Sequence, residues 1–276
     1  MAKALTDFRQ LCVHTITTRP WPIEKSAREF SDAGIGGITV WRDALTGRNI
    51  TATGKMLKDA NLEVVSLCRG GFFPSIIATG RQKAIEDNLK AIDEAYALGA
   101  SMVVLVCGSA PGQSLSESRK QIQEGISACL AHAEAARVKL AIEPLHPMYA
   151  ADRSAINTLE QANDMAEAIQ SPWVGIALDV YHLWWDPNLE TQIKRCGQNG
   201  HLAAFHICDW KSPTLDMLND RGLMGEGCIN IKQIRSWVEE TGFKGFYEAE
   251  IFSTAYWKED QVEFLKKIKH AYLNHS

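Results

Sequence analysis

The stretch from Val174 to His182 reads VGIALDVYH, and its pattern decides the fold. Apolar side chains at positions 174, 176 and 178 alternate with small ones at 175 and 177 and then with Asp179. In a barrel of parallel strands, such alternation sends one set of side chains to the surrounding helices and the other set to the barrel interior. We therefore expect a short strand here, with the Asp179 carboxylate inside the barrel at the C-terminal end of the strand.

Three further segments show the same alternation. They read VKLAIEPL at 138–145, LAAFHIC at 202–208 and FYEAEIF at 246–252. The inward positions of the last segment are Phe246, Glu248 and Glu250, while Glu143 and His206 take the inward positions at the ends of the other two. Active sites of (β/α)8 barrels are built at this end of the strands. Glu143, Asp179, His206 and Glu250 are therefore expected to converge.

The same alternation of short apolar runs and longer amphipathic stretches continues through the chain and predicts eight strands and eight helices. The predicted strands are Leu11–Thr17, Gly37–Arg42, Leu62–Cys68, Met102–Cys107, Val138–Leu145, Val174–Val180, Leu202–Cys208 and Phe246–Phe252. Helices are expected at Arg81–Leu98, Glu117–Arg137, Leu159–Ile169 and Glu259–Tyr272, among others, and Gly34, Gly99 and Gly242 are expected to end helices in the left-handed conformation. With 276 residues and no linker, the sequence predicts one (β/α)8 TIM barrel domain over residues 1–276.

Composition excludes several classes of function. The net charge of -4 gives no broad positive surface, so no nucleic-acid partner is expected. No apolar run reaches the length that spans a bilayer, and the first ten residues show no signal sequence, so no membrane partner is expected. Seven cysteines without a CxxC pair are typical of reduced thiols. We expect a cytoplasmic protein.

Three carboxylates and one imidazole in a barrel interior indicate a metal ion, because the carboxylates would otherwise repel one another and lose hydration. The oxygen-rich set suits Mn²⁺ or Mg²⁺, and the imidazole also admits Co²⁺, Zn²⁺ or Fe²⁺. We favour one Mn²⁺ held by Glu143, Asp179, His206 and Glu250. Taken singly, Glu143 could instead pair with Lys139, and His206 could be an ordinary core histidine.

A second group of polar and aromatic residues flanks the expected ligands. His146 and His182 each follow a ligand by three positions and are candidates for proton transfer or substrate contact. Arg221, in the glycine-rich stretch NDRGLMGEG at 219–227, could bind a substrate oxygen. His14 is also predicted to bind substrate. Aromatic residues after the sixth and eighth strands could wall a sugar pocket or pack at an interface, and these are Trp184, Trp185, Tyr256 and Trp257.

At these residues the sequence resembles the xylose isomerase-like barrel superfamily, which includes tagatose and psicose 3-epimerases, inosose-processing enzymes and apurinic endonucleases. The matching pieces are AIEP, ALDVYH, AAFHICD, GEGCINIKQI and YEAEIF, and the resemblance covers essentially the whole chain. It implies a divalent-metal-dependent isomerase or epimerase of a sugar, keto-sugar or inosose. In that mechanism the metal stabilises an enediolate, and metal-bound Glu143 and Glu250 deprotonate and reprotonate the substrate.

Other functions remain open at this stage. The epimerases usually carry a further acidic residue after the fifth strand, where this chain reads HPMYAADR. A metal-dependent lyase, either a dehydratase or an eliminase of an oxidised glycoside with His146 as base, is the second hypothesis. An apurinic endonuclease is disfavoured because the ends of strands two and three offer no histidine. A non-catalytic sugar-binding barrel and a homo-oligomer are also possible.

Overall fold

The structure is a computed structural model that describes residues 3–276. In chain order its strands are β1 (Leu11–His14), β2 (Gly37–Trp41), β3 (Glu63–Gly71), β4 (Met102–Val106), β5 (Lys139–Glu143), β6 (Val174–Asp179), β7 (Leu202–Ile207), β8 (Asp209–Trp210), β9 (Arg221–Gly222) and β10 (Tyr247–Ala249). Eight of these strands form a closed parallel barrel in the order β1-β10-β7-β6-β5-β4-β3-β2. The predicted (β/α)8 barrel is confirmed.

Helices connect the barrel strands. They are α1 (Ile23–Asp32), α2 (Ile50–Asp59), α3 (Ala78–Leu98), α4 (Leu115–Ala136), α5 (Leu159–Ile169), α6 (Val180–Leu183), α7 (Leu189–Gln198), α8 (Ile231–Glu240) and α9 (Gln261–His275). Short 3-10 turns lie at Arg42–Leu45, Pro147–Tyr149 and Tyr256–Lys258. No helix within residues 3–276 is long and apolar enough to cross a membrane.

Two buried layers separate the inside of the barrel from the helices. The inner layer is small and contains Cys12, Val65, Cys68, Met102, Val104, Ala141, Ala177 and Ala204. A much larger layer between the strands and the helices includes Leu140, Ile142, Ile176 and Phe205. The alternation along β5, β6 and β7 is therefore the predicted one. Apolar side chains, among them three alanines and two cysteines, fill the barrel centre, and the polar residues lie towards its C-terminal end.

Several predicted boundaries are wrong, and the ends of β1 and β10 show why. β1 ends at His14 instead of Thr17, and β10 spans only three residues of the predicted Phe246–Phe252. Beyond these points a side chain replaces the strand ladder: the Thr17 hydroxyl donates to the carbonyl of Ala249 at 3.0 Å and accepts from the amide of Ile251 at 2.9 Å. Strand pairing stops there because these backbone groups already have a partner.

Two local features were not predicted. The short helix α6 follows β6 directly, because the Asp179 carboxylate accepts a hydrogen bond from the amide of Tyr181 at 2.8 Å and caps it. The small antiparallel sheet of β8 and β9 brings Arg221 back over the barrel mouth. The predicted helix-ending glycines do have left-handed backbones, with φ of 73° at Gly34, 84° at Gly99 and 86° at Gly242.

Candidate metal centre and active site

Four predicted ligands meet at the C-terminal mouth of the barrel. Glu143 ends β5, Asp179 ends β6, His206 lies in β7 and Glu250 follows β10. One ligand atom from each of them lies within 4.8 Å of the others, and all four side chains are buried. Their carboxylate and imidazole groups come from four strands that are neighbours in the barrel.

Strand register sets the height of each group. Asp179 pairs with His206 across β6 and β7, and His206 pairs with Glu248 across β7 and β10. Glu250 therefore projects one inward step above Glu248, just past the end of its strand. This extra step brings the Glu250 Oε2 atom to 4.0 Å from Nδ1 of His206.

Direct polar contacts link the cluster. His206 Nδ1 lies 3.1 Å from Oε1 of Glu143. The buried guanidinium of Arg221 donates from Nη1 to Oδ2 of Asp179 at 3.0 Å and to Oε2 of Glu250 at 2.8 Å. Tyr181 lies beneath this guanidinium, with its ring centre 4.3 Å away. Arg221 thus balances part of the negative charge from one side.

A second polar layer lies below the cluster and is centred on Glu248, which is fully buried. Its Oε2 atom lies 3.1 Å from Nε2 of His14 and accepts a hydrogen bond from the Thr39 hydroxyl at 2.6 Å. His14 also reaches upward, with Nδ1 at 3.1 Å from Oε1 of Glu250. His206 Nε2 and Glu248 Oε1 face each other at 3.9 Å, and neither has a hydrogen-bond partner within residues 3–276.

The cluster changes the acidity of its members. Burial alone would lower the pKa of His206, but the charge of Glu248 and the hydrogen bond with Glu143 raise it to about 9. Burial would likewise lower the pKa of His14, and the carboxylates of Glu250 and Glu248 raise it to about 9. Burial would raise the pKa of Glu250, but Arg221 and His14 hold it well below its usual range. Burial raises the pKa of Asp179 despite the opposing charge of Arg221.

These residues fit a divalent cation. The set offers three carboxylates and one imidazole, which matches ions that accept mixed oxygen and nitrogen ligands. His206 would bind through Nδ1, because that atom faces Glu143 and Glu250. Its unpartnered Nε2 atom faces the Glu248 carboxylate, and a histidine that binds a metal usually donates its other ring N–H to such a group.

Above the cluster lies a small cavity of about 30 Å³, which holds a water or two. Glu143, His182, Arg221 and Glu250 line its floor, and Trp41, Phe252 and Leu218 are among the residues that wall it. An open groove of about 1080 Å³ adjoins this cavity and shares Trp41, Arg69, Arg153, Leu218 and Phe252 with it. The larger groove does not itself reach the carboxylates of Glu143, Asp179 and Glu250, so we regard it as the entrance to the cavity.

The loop between β8 and β9 narrows this entrance. The carbonyl of Met217 accepts hydrogen bonds from the hydroxyls of Tyr149, at 2.6 Å, and Tyr181, at 2.9 Å. These two contacts fix the neighbouring Leu218 against the cavity. Leu218 is thus one of the residues that close the cavity on its outer side.

Of the predicted substrate-binding residues, His182, Arg221 and His14 lie at the cluster. His182 is buried, with Nε2 at 3.3 Å from Nη2 of Arg221 and at 3.6 Å from Oδ2 of Asp179. Trp257 lines the entrance groove, and its indole N–H donates to the carbonyl of Ile16 at 2.9 Å.

The other predicted residues are placed elsewhere. The His146 ring lies beside the rings of Trp210 and Trp185, with centroids at 5.0 and 5.7 Å, and His146 is absent from the cavity lining. Trp184 packs on Trp210 at 5.8 Å and does not line the cavity either. Tyr256 stacks on a core phenylalanine and donates its hydroxyl to Glu226, so it serves packing.

Three features were missed by the sequence reasoning. Glu248 is the first: it lies two residues before Glu250 in the same predicted strand, and this spacing could have predicted that its carboxylate also faces the barrel interior. Asp209 accepts hydrogen bonds from the amides of Trp210, Gly225 and Ile229 at 2.8 to 3.0 Å and so fixes the glycine-rich segment. The entrance arginines Arg69 and Arg153 gave no signal in the sequence.

Comparison with curated proteins finds distant relatives. The chain is 24% identical to L-ribulose-5-phosphate 3-epimerase UlaE of Escherichia coli O157:H7, over 63% of this chain and 57% of that protein, so little more than half of that relative is matched. It is 26% identical to an inosose isomerase of Bacillus velezensis, over 72% of this chain and 70% of the relative.

Solved structures share the fold over nearly the whole chain. Protein SMc04130 from Sinorhizobium meliloti 1021 is 46% identical, with a TM-score of 0.93 over 96% of this chain and 98% of that one. The IolI protein with a bound zinc atom is 21% identical, with a TM-score of 0.83 over 96% of this chain and 97% of that one. The family described as xylose isomerase-like TIM barrel matches residues 27–268. The chain therefore belongs to the xylose isomerase-like TIM barrel family.

Proposed function

We propose that the protein is a divalent-metal-dependent isomerase or epimerase of a sugar, keto-sugar or inosose. One observation carries this proposal: two buried glutamates, Glu143 and Glu250, line the same small cavity beside Arg221 and His182. Names of the distant relatives support the substrate class, since they include an inosose isomerase and a sugar phosphate epimerase.

Glu143, Asp179, His206 and Glu250 would hold the cation. When bound, it would act as a Lewis acid on the oxygens of the substrate and lower the cost of the negative charge that develops beside them. Mn²⁺ remains our favoured ion, although zinc is the ion in the IolI structure. The identity of the ion is therefore part of the proposal.

Glu143 and Glu250 would carry out the proton transfer. One carboxylate removes the proton from the carbon next to the substrate carbonyl, and the other returns a proton. Return to the opposite face of the same carbon gives an epimer, and return to the neighbouring carbon gives an isomer. Arg221 and His182 line the same cavity, so their N–H groups orient the substrate hydroxyls.

The lyase hypothesis depends on His146 as the base. His146 packs against Trp185 and Trp210 outside the cavity lining, and its Nδ1 accepts a hydrogen bond from the amide of Met148 at 3.2 Å. No described contact directs this ring to the space above Glu143 and Glu250. Isomerisation by the glutamates is therefore the function that we propose.

Proton exchange with solvent tests the proposal. The protein with Mn²⁺ is incubated in D₂O with ketoses, inososes and 3-keto-glycosides, and NMR follows the substrate C–H signals. We expect deuterium uptake without loss of a fragment, and a rate at least about 100-fold lower in Glu143→Gln and Glu250→Gln. Glu134→Gln, on the exposed side of α4, is the matched control. Release of water or an aglycone would support a lyase, and unchanged exchange in both variants would refute the assigned roles.

A further inference from the structure

Two half-buried arginines at the mouth of the active site have no counterion. Arg69 lies near the end of β3, and Arg153 follows the 3-10 turn after β5. Both line the small cavity above Glu143 and Glu250, and both line the entrance groove. Within residues 3–276, neither guanidinium makes a hydrogen bond or an ion pair, so their donors are available to a ligand.

Aromatic rings hold the two guanidinium groups in place. Arg69 stacks over Phe72, with 4.3 Å between its Cζ atom and the ring centre, and Arg153 lies over Tyr149 at 5.5 Å. Such stacking leaves the N–H edge of a guanidinium free to donate. Both guanidinium groups are therefore held at the mouth with N–H groups that are free to donate to a ligand.

Two of the three acidic residues that line the groove, Asp87 and Glu94, are already paired with another arginine, and the third, Asp43, accepts from the amide of Ala44. Arg42 donates to Asp87 at 2.8 Å and to Glu94 at 2.6 Å, and these two carboxylates share it. Burial and the nearby charge of Arg153 lower the pKa of Arg69, so the two positive charges destabilise each other. A bound anion would offset that repulsion.

We propose that the substrate carries an anionic group, a carboxylate or a phosphate, which Arg69 and Arg153 bind together. This inference rests on the proposed function and narrows its substrate class to acidic sugars. A guanidinium fork matches the paired oxygens of both anions. Because the arginines and the two glutamates line one cavity, the anionic group lies within a few bonds of the reacting carbon.

Calorimetric titration with three probes that share one sugar ring tests the proposal. The Mn²⁺-loaded protein is titrated with D-glucose, D-glucuronate and D-glucose 6-phosphate, and the titrations are repeated on Arg69→Gln and Arg153→Gln. Charge-assisted hydrogen bonds predict that at least one anionic probe binds about tenfold tighter than glucose, and that each variant loses this preference. Added salt should also reduce it. Arg28→Gln, on the exposed face of α1, is the control.

The two anionic probes separate the sources of the charge. Tighter binding of glucuronate alone assigns a carboxylate substrate, and tighter binding of the phosphate alone assigns a phosphorylated one. No preference for either anion, or a preference that persists in both arginine variants, would overturn the proposal. Anion binding that depends on the arginines, together with no C–H exchange in any substrate, would keep this site and refute the proposed isomerase instead.

Discussion

Replacement of Glu248 should weaken both the barrel and the metal centre. This carboxylate is fully buried, binds His14 and Thr39, and faces the free Nε2 atom of His206. Glu248→Ala removes one partner of a buried ion pair, which costs about 3 to 5 kcal/mol. At about 2 °C per kcal/mol for a chain of this size, the melting temperature should fall by about 6 to 10 °C.

The same substitution should reduce metal affinity through His206. Loss of the carboxylate that orients a metal-binding histidine typically costs 10- to 100-fold in affinity, so the Kd for Mn²⁺ should rise by about that factor. Glu248→Gln keeps the shape and an oxygen for Thr39 but removes the charge. We expect it to lose less stability and still to weaken metal binding.

Calorimetry and thermal unfolding measure both effects on the same preparations. Thermal unfolding is recorded without metal, so that stability and metal affinity are separated. Glu134→Gln on the surface of α4 controls for the change of charge. If Glu248→Ala melts within 2 °C of the parent protein and binds Mn²⁺ equally well, our description of the lower layer is wrong.

Three further outcomes follow from the site. Arg221→Met removes the guanidinium shared by the Asp179 and Glu250 carboxylates and leaves only His14 beside Glu250, so the free energy of unfolding should fall by about 3 to 5 kcal/mol in EDTA and by clearly less with Mn²⁺. An equal loss in both conditions would contradict this. Asp209→Ala removes the acceptor of three backbone amides, of which that of Ile229 is buried, and should cost about 1 to 3 kcal/mol in chemical denaturation. A loss under about 1 kcal/mol would be inconsistent with the observed contacts. Burial lowers the pKa of His146, so the protein should be most stable above pH 6.5, where this ring is neutral in both the folded and the unfolded chain, and should lose stability as the pH falls below 6.5. His146→Gln should reduce this dependence of the melting temperature on pH. An unchanged dependence would exclude His146 as its source.

The barrel and the direction of its ligand side chains could be predicted because both depend on a local period of two residues. The inward positions of β5, β6 and β7 follow from counting along each strand, and the structure buries Ala141, Ala177 and Ala204 there. The ends of the strands could not be predicted in this way, because the hydroxyl of Thr17 hydrogen-bonds the backbone groups at the end of β10 that strand pairing would otherwise use. Such a contact joins opposite ends of the chain.

Heights and distances inside the barrel could not be read from the sequence. Glu248 and Glu250 share one parity, and the strand direction puts Glu250 nearer the mouth, but only the pairing of Glu248 with His206 fixes their heights relative to the other strands. His146 is near Glu143 in the chain, but the turn at Pro147 places its ring beside Trp210. A three-residue spacing therefore did not predict a shared cavity.

The arginines of the entrance show a further limit. The overall charge of -4 gave no sign of a positive site, because Arg69 and Arg153 come from separate strand-helix units and meet only in the folded chain. Net charge is a sum over all charged residues of the chain. It carries no information on which charges lack a partner.

Metal content is the most direct test of the central claim, that Glu143, Asp179, His206 and Glu250 bind one divalent cation. The purified protein is loaded with Mn²⁺, dialysed and analysed for metal together with Glu250→Gln and the surface control Glu134→Gln. The account predicts one ion per chain in the parent and the control, and a large loss in Glu250→Gln. A parent protein that retains no ion at neutral pH, or a Glu250→Gln variant that retains it fully, would contradict the account.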